Sequence, residues 1–521
     1  MTLETFFEKF DLFVDAPDAV AQMRELVLEL AIQGRLVPHS PDEAAVPYDS
    51  IEDATPINTD ETPPNWRVVL LADTIKNRSG NSKLIKGKLH EEPAPGRFQG
   101  FSASGADVWC DDFEQEGPAI IVSAVGARCG KAFKASGKWS AIANTNIARP
   151  EPTLFDFDFA YLVLNNEHFW VRGGSAQPFV KFPPSLARHF ALPPLAEQKR
   201  IVAKVDELMA LCDRLEAQQQ ERETRHAALA RASLARFAQA PTPANLGWLF
   251  HSAFSIPPTD LRKTILTLAV HGKLVPQDPN DEPVPSLSDF RHAAAALANS
   301  LGLRSPKEVV EETEAPFDIA ADWRWMALAD VGAAQTGTTP SKNDHSAFNG
   351  EVPFIKPADI LPKAVDYANE SLTRKGAEGG SRLAPAGSLL MVCIGTIGKC
   401  NLIERECAFN QQINSLSPVE WIEPRYLLAT ARASYFQDAA WAKSSSTTIA
   451  ILNKGKWLSI PIPVPPLAEQ RRIVAKVDEL MVLVDALETQ LATARTTAAN
   501  LLAAAVAELT NGNEAHAAAE V

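Results

Sequence analysis

One stretch of this chain occurs twice: residues 193–216 read PPLAEQKRIVAKVDELMALCDRLE, and residues 465–488 read PPLAEQRRIVAKVDELMVLVDALE. The 24-residue windows share 20 identities at an offset of 272, differing only at Lys199/Arg471, Ala210/Val482, Cys212/Val484 and Arg214/Ala486. Each copy predicts an amphipathic helix. A Pro-Pro pair holds φ near the helical value and lacks an amide donor, which marks a start. Strong helix formers follow, with no Gly or Pro until Pro241 in the first copy. Apolar residues fall at Ile201, Val205, Leu208, Cys212 and Leu215, then at Ile473, Val477, Leu480, Val484, Leu487 and Leu491, the 4-3-4-3 spacing of a coiled-coil seam. A helix from Leu195 to about Phe237 would run roughly 60 Å at ~1.5 Å per residue, longer than a compact domain needs, so it reads as a spacer. Two such seams are expected to pack on each other, most simply antiparallel and about a pseudo-twofold axis. Near-identity on the polar face implies a surface demand that both copies share.

The duplication reaches further than the helix. APDAVAQMRELVLELAIQGRLVP (residues 16–38) returns as DLRKTILTLAVHGKLVP (residues 260–276). Both predict a helix closed by a C-terminal glycine, Gly34 or Gly272, and both run into an acidic, Pro-containing linker. After the linkers, PPNWRVVLLADTIKNRSGNSK (63–83) matches AADWRWMALADVGAAQTGTTPSK (320–342), with Trp66 over Trp323, Asp73 over Asp330 and Gly80 over Gly337. Deeper in each half, GPAIIVSAVGARCGKAF (117–133) parallels GSLLMVCIGTIGKCNL (387–402): a buried-strand run ends in glycine turns and leads to an Asn-containing stretch, 144–146 or 410–414. Between these echoes the two β-rich blocks diverge almost completely. A scaffold that matches while its insertions differ suits one task performed on two targets.

The 521 residues, 46% of them apolar, allow three or four domains with substantial cores. No apolar run approaches the ~20 residues of a membrane span, and the acidic N-terminus lacks the basic start of a signal peptide, so a cytoplasmic protein is expected. Six cysteines without a CxxC pair argue against a disulfide framework. Cys393, Cys400 and Cys407 lack the close pairing and neighbouring His of a zinc site, so no metal is expected. Net charge is −14, yet residues 66–190 carry +3 and residues 323–463 carry +2. Acidity is therefore concentrated outside two slightly basic blocks that suit contact with phosphates.

Catalytic signatures are missing. The five Pro-Pro pairs follow Thr62, Phe182, Leu192, Ile256 and Val464, so no Asn/Asp-Pro-Pro-aromatic loop exists to hold a flipped base. GARCGKA and GTIGKC are too short for a GxxxxGK[ST] phosphate loop and lack its hydroxyl, which leaves them as strand-turn glycines. Acidic clusters such as EETE at 311–314 sit in linker-like sequence rather than as clustered metal-binding carboxylates.

The PPLAEQxRIVAKVDEL helix, the WR-x(3)-LAD opening, the TGTTPSK loop with VPFIKPADI, the GSLLMVCIGTIGK strand-turn and the SSSTTIAILNK loop together resemble the specificity subunit of type I restriction-modification systems. The resemblance covers nearly the whole chain. It implies an α+β protein with two β-rich target recognition domains, each reading half of a split double-stranded DNA sequence, separated by two long helices. It also implies docking of two modification (methyltransferase) subunits and of restriction (translocase-nuclease) subunits. The chain itself would hold no cofactor: the methyl donor belongs on the modification subunits, and ATP and Mg on the restriction subunits. Two departures stand out in the first half, which reads RSGNSK for TGTTPSK and GGSAQPFVKF for the Ser/Thr-rich loop.

The expected domains are residues 1–65 (helix and acidic linker), 66–192 (first recognition domain), 193–239 (first long helix), 240–322 (helix and linker again), 323–464 (second recognition domain) and 465–521 (second long helix and tail). Arg and Lys suit phosphates, whereas Asn, Gln, Arg and Lys suit base edges. In the second domain the loop positions implied by the resemblance are Thr338, Thr339, Ser341, Lys342, Ser445, Ser446, Thr447, Thr448 and Lys454. Lys399 is a further phosphate candidate, Gln411 a base-contact candidate, and Gln411 and Gln412 alternatively brace turns. In the first domain the candidates are Asn81, Ser82, Lys83, Lys86, Arg128, Lys131, Ser175, Gln177 and Lys181. The competing readings are a protein-only coiled-coil adaptor and a stand-alone DNA-modifying enzyme.

Overall fold

The structure, a computed structural model, describes residues 5–6, 16, 18–59, 62–174, 177–240, 242, 245, 249, 256–304, 315–380, 382–445 and 449–511. Ser175, Ser446, Thr447 and Thr448 lie outside the described residues, as does the acidic run at 311–314. Both repeated windows are helical: Leu195–Gln239 and Leu467–Asn511 are 45 residues each, roughly 68 Å at ~1.5 Å per residue. The chain divides into two units, Met1–Arg222 with Ala494–Val521, and Glu223–Thr493, so the boundary cuts both long helices.

In the first unit, Ile201, Val205, Leu208 and Cys212 share a core with Met23, Val27 and Leu30 of the helix Ala19–Ile32 and with Ala498, Leu502, Ala505 and Leu509. In the second, Ile473, Val477, Leu480 and Val484 share a core with Leu261, Ile265 and Leu268 of the helix Pro258–Val270 and with Ala230 and Phe237. Leu215, Leu487 and Leu491 are only partly buried. Each unit thus joins the first half of one long helix to the last turns of the other, as in an antiparallel pair. The expectation that the two copies of the seam pack on each other is corrected here. They belong to different units, and each is buried on its own short helix and on the far end of the other long helix.

That arrangement explains the shared polar face. Arg24 of the first short helix reaches Asp213 and Glu216 at 2.7 Å each, and Arg262 of the second reaches Asp485 at 2.5 Å and Glu488 at 2.7 Å. The linkers are held in the same way: the Arg200 guanidinium grips both oxygens of Glu43, and Arg472 both oxygens of Asp281. Trp66 and Trp323 each donate an indole N–H to a buried carboxylate on the long helix, Glu197 at 3.2 Å and Glu469 at 3.0 Å. Gly34 and Gly272 cap the short helices at φ +75° and +66°, and a Cβ on either would press on the Trp66 or Trp323 ring. The near-identity of the long helices is therefore read by this chain's own repeats. Through these contacts each short helix and its linker clamp a long helix.

Each unit carries two four-stranded sheets with one topology. In the first unit the order is Ile75–Ser79, Thr145–Pro150, Ala119–Ser123, Ala132–Ala135, all antiparallel. The counterpart is Gly332–Thr336, Ile413–Pro418, Leu389–Val392, Cys400–Leu402. The strands Ala119–Ser123 and Leu389–Val392 are buried at every residue, which is why they read as unbroken apolar runs. The second sheets, built from the divergent sequence, each contain one parallel pair, Phe98–Ser102 with Lys138–Ala141 and Phe348–Ile355 with Cys407–Phe409. At the root of each domain the first strand pairs antiparallel with the strand leading into the long helix: Arg67↔Leu192 and Arg324↔Val464.

The units differ in several elements, among them a two-stranded ribbon, Arg172–Gly173 with Phe179–Val180, in the first and the helices Arg374–Gly380 and Ser434–Ala442 in the second. The second linker contains a helix, Leu287–Ser300, with a Ser286/Asp289 capping box and with Phe290 and Ala294 in the domain core. Its signal, Ser-x-x-Asp before apolar residues four apart, was present in a stretch read as acidic linker.

Candidate nucleic-acid interface

Strand pairing gathers the candidate loops. Ser79, which ends its strand, pairs with Asn146, at the start of the next; Thr145 pairs with Ser123, the end of the central strand; Val122 pairs with Ala132. The loop after Ser79, the asparagine turn at 144 and the glycine turn at 124–131 therefore meet at one end of the sheet. The root lies at the other end of Ile75–Ser79. In the second unit Thr336↔Asn414, Val392↔Ile413 and Met391↔Cys400 do the same for the loops at 337–342, 410–412 and 393–399.

The loop before each long helix docks on the same glycine turn. Gly126 N–H donates to the Pro178 carbonyl at 2.8 Å and Val180 N–H to Ala124 at 2.9 Å; Gly395 donates to Ala450 at 2.9 Å and Leu452 to Cys393 at 2.8 Å. The sequences GGSAQPFVKF and SSSTTIAILNK look unrelated, yet their backbones are attached identically, because these bonds use only main-chain groups. Gly80 and Gly337 show a second shared requirement. A Cβ there would lie 2.3 Å from the Ile142 carbonyl or 2.2 Å from the Asn410 carbonyl, so the turn leaves the sheet only through a glycine.

The candidates at these tips fall into two groups. Lys83, Lys181, Lys342 and Lys454 are exposed, and Lys131 is half-buried; none of them makes an ion pair among the described residues. Desolvation of the ammonium first, and the Arg382 guanidinium second, push Lys454 below its usual range. Ser82, Gln177, Thr338 and Ser341 are exposed at the same tips, and Arg128 gives one N–H to the Ser104 carbonyl at 3.3 Å. Thr339 donates to Gln411 at 2.6 Å, holding that exposed amide on the loop, whereas Gln412 is braced to Asn410 at 3.0 Å. Ser445 pairs with Ile451 through backbone and hydroxyl.

Three candidates are engaged inside the protein. The Lys399 ammonium donates to the Pro357 carbonyl at 2.6 Å, Lys86 is ion-paired to Asp107, and the Asn81 amide donates to Glu114 while its oxygen accepts from Lys83 N–H at 2.8 Å. Cys393, Cys400 and Cys407 occupy core positions, and burial pushes their thiols up to about 12, about 11 and about 12. Sequence reasoning passed over Arg78, Glu114 and Gln115, which with Asn81, Ser82 and Lys83 line a groove of about 500 Å³ at the tip of the first domain. Only the pairing of distant strands brings 78 and 114 together, so no local signal was available.

The architecture is that of a protein whose paired, variable loop clusters sit on a repeated frame, and residues 320–494 match the family described as the type I restriction modification DNA specificity domain. Two Escherichia coli proteins align along nearly the whole chain. The type I restriction enzyme EcoEI specificity subunit is 24% identical over 95% of this chain and 93% of its own length, and the EcoAI specificity subunit 25% over 95% and 93%. The HindI specificity subunit of Haemophilus influenzae is 30% identical over 27% of this chain and 32% of its own. A crystal structure of an HsdS subunit from Thermoanaerobacter tengcongensis aligns over 86% of this chain and 97% of its own, with 18% identity and a TM-score of 0.40. Residues 320–494 thus carry a type I restriction-modification DNA specificity domain, and along nearly its whole length the chain is similar to specificity subunits of type I restriction-modification systems.

Proposed function

We propose that this chain reads a bipartite duplex target without catalysing any reaction itself, each unit contacting one half-site through the loop cluster at the tip of its sheets. The observation that carries this reading is the contrast within each unit. The glycine turns, strand registers and loop attachments are the same, while the side chains at the tips differ. A constant frame with divergent donors and acceptors is what two different base sequences require. Unpaired lysines supply affinity for phosphate, and Asn, Gln, Ser and Thr side chains supply contacts to base edges.

The two long helices act as a spacer that fixes the separation of the half-sites, about 10 bp between centres if both domains meet one face of the duplex. Modification and restriction subunits dock on this chain and bring the methyl donor, ATP and Mg with them, so the chemistry resides in the assembly. The protein works in the cytoplasm, where the DNA is; among the described residues no helix is long and apolar enough to cross a membrane. Inserting one heptad into each long helix tests the spacer. The methylated target is expected to keep both half-sequences and to lengthen its unspecified gap, and an unchanged gap would refute the role.

A further inference from the structure

The groove at the tip of the first domain makes a more specific assignment. Its walls are the strand Ile75–Ser79 with the loop to Lys83, and the short strand Gln115–Glu116 with Glu114 before it; Ile147 is its one apolar lining residue. Arg78 projects there, exposed and without a hydrogen-bond or ion-pair partner among the described residues. Its counterpart in the second domain, Gln335, is buried and gives its amide N–H to the Leu383 carbonyl. The same strand position is structural in one unit and free in the other.

Glu114 decides what the groove suits. An acid among Arg78 and Lys83 repels phosphate, and its second oxygen is open because only Oε1 accepts from Asn81. Gln115 is oriented as well: its carbonyl oxygen accepts from Arg149 at 3.1 Å, leaving the amide N–H₂ group unpaired. A guanidinium fork matches the O6 and N7 acceptors of guanine in the major groove, and a carboxylate matches the N4 amino group of cytosine. We propose that this groove reads a G·C pair in the half-site of the first unit, with Arg78 on guanine and Glu114 accepting from a cytosine amino group. The inference rests on the reading of the chain as a DNA-recognition subunit and names the bases and residues within it.

The test uses the full chain assembled with its modification subunits, selecting bound duplexes from a pool randomised over the target. Wild type is expected to show at least one strongly preferred G·C pair in one half-site. Arg78→Ala and Arg78→Lys are both expected to relax that preference by roughly 5- to 150-fold while leaving the other half-site as it was. Glu114→Gln is expected to relax discrimination in the same half, and Lys83→Ala to weaken all sequences alike. Retention of the second half-site shows that each variant is folded. If the Arg78 variants weaken every duplex uniformly, the guanidinium sits on phosphate and the assignment is overturned; it is equally overturned if they alter nothing. If wild type selects no sequence at all, the underlying reading of the chain fails instead.

Discussion

The two tryptophan latches are nearly identical in sequence and unequal in environment, which makes their loss a graded test of the clamp. Glu197 accepts from Trp66 through one oxygen and from His39 Nδ1 through the other at 2.7 Å. Among the described residues Glu469 accepts from Trp323 alone; its Oε1 is buried without a partner there, and Gln277 stands where the first copy has His39. Trp66→Phe and Trp323→Phe remove the same indole N–H and similar ring volume, so their difference isolates the carboxylate. After Trp323→Phe a buried acid has no hydrogen bond, whereas after Trp66→Phe one remains. The excess cost at the second latch is about 1–2 kcal/mol, or roughly 5- to 30-fold faster exchange at the short helix it holds.

Glu469 also predicts a pH signature. Burial raises its carboxyl above the usual range, and the Trp323 hydrogen bond partly counteracts this, so the variant pushes it further up. A raised acid binds its proton more tightly in the folded state than in the unfolded chain. Its penalty is therefore absent below the unfolded value near pH ~4.3 and grows as pH rises through the folded one. Hydrogen exchange measured by mass spectrometry over Pro258–Val270 and Ala19–Ile32, corrected for intrinsic rate, reads the two latches separately at pH 5 and pH 7.5. Trp323→Phe should loosen its helix more, with the excess larger at the higher pH, and Glu469→Gln in that background should restore part of the protection. Equal loosening of the two helices, or a larger effect at Trp66, would refute the argument.

Two further outcomes follow from the clamps and the glycine frame. The Arg472 guanidinium holds the Asp281 carboxyl below its usual range, a stabilisation present above the unfolded value near pH ~3.9 and lost as pH falls through the folded one. Asp281→Asn should accordingly speed exchange in residues 276–286 at neutral pH, with the effect shrinking as the pH is taken down through the acid range. Gly337→Ala places a methyl against two main-chain carbonyls and should cost about 1–3 kcal/mol in urea unfolding of the second unit. Gly87, with open space around it, should accept Ala without measurable loss.

Much of the scaffold is legible in the sequence because it is written twice. The long helices follow from the Pro-Pro start and the 4-3-4-3 spacing, the short helices from Gly34 and Gly272, and the turns from Gly80 and Gly337, whose space the sheet denies to any side chain. What each seam packs on was not legible. Periodicity states which face is buried but not against what, and the partners proved to be a short helix far earlier in the chain and the end of the other long helix. The helix Leu287–Ser300 was hidden by its acidic surroundings, although its capping box is plain once Ser286 and Asp289 are read together. At the tips, loop position was recoverable but side-chain state was not. The sequence could not show that the Lys399 ammonium donates to a main-chain carbonyl, that Lys86 pairs with Asp107, or that Arg78 and Glu114 line one groove.

The central claim is that each unit reads one half of a split target on a frame common to both. It is tested most directly by exchanging residues 323–463 for those of a relative with a different target and mapping methylated bases across the genome of a host carrying the operon. One half of the methylated sequence should change to the relative's while the other half stays as before. Change in both halves, or in neither, would contradict it.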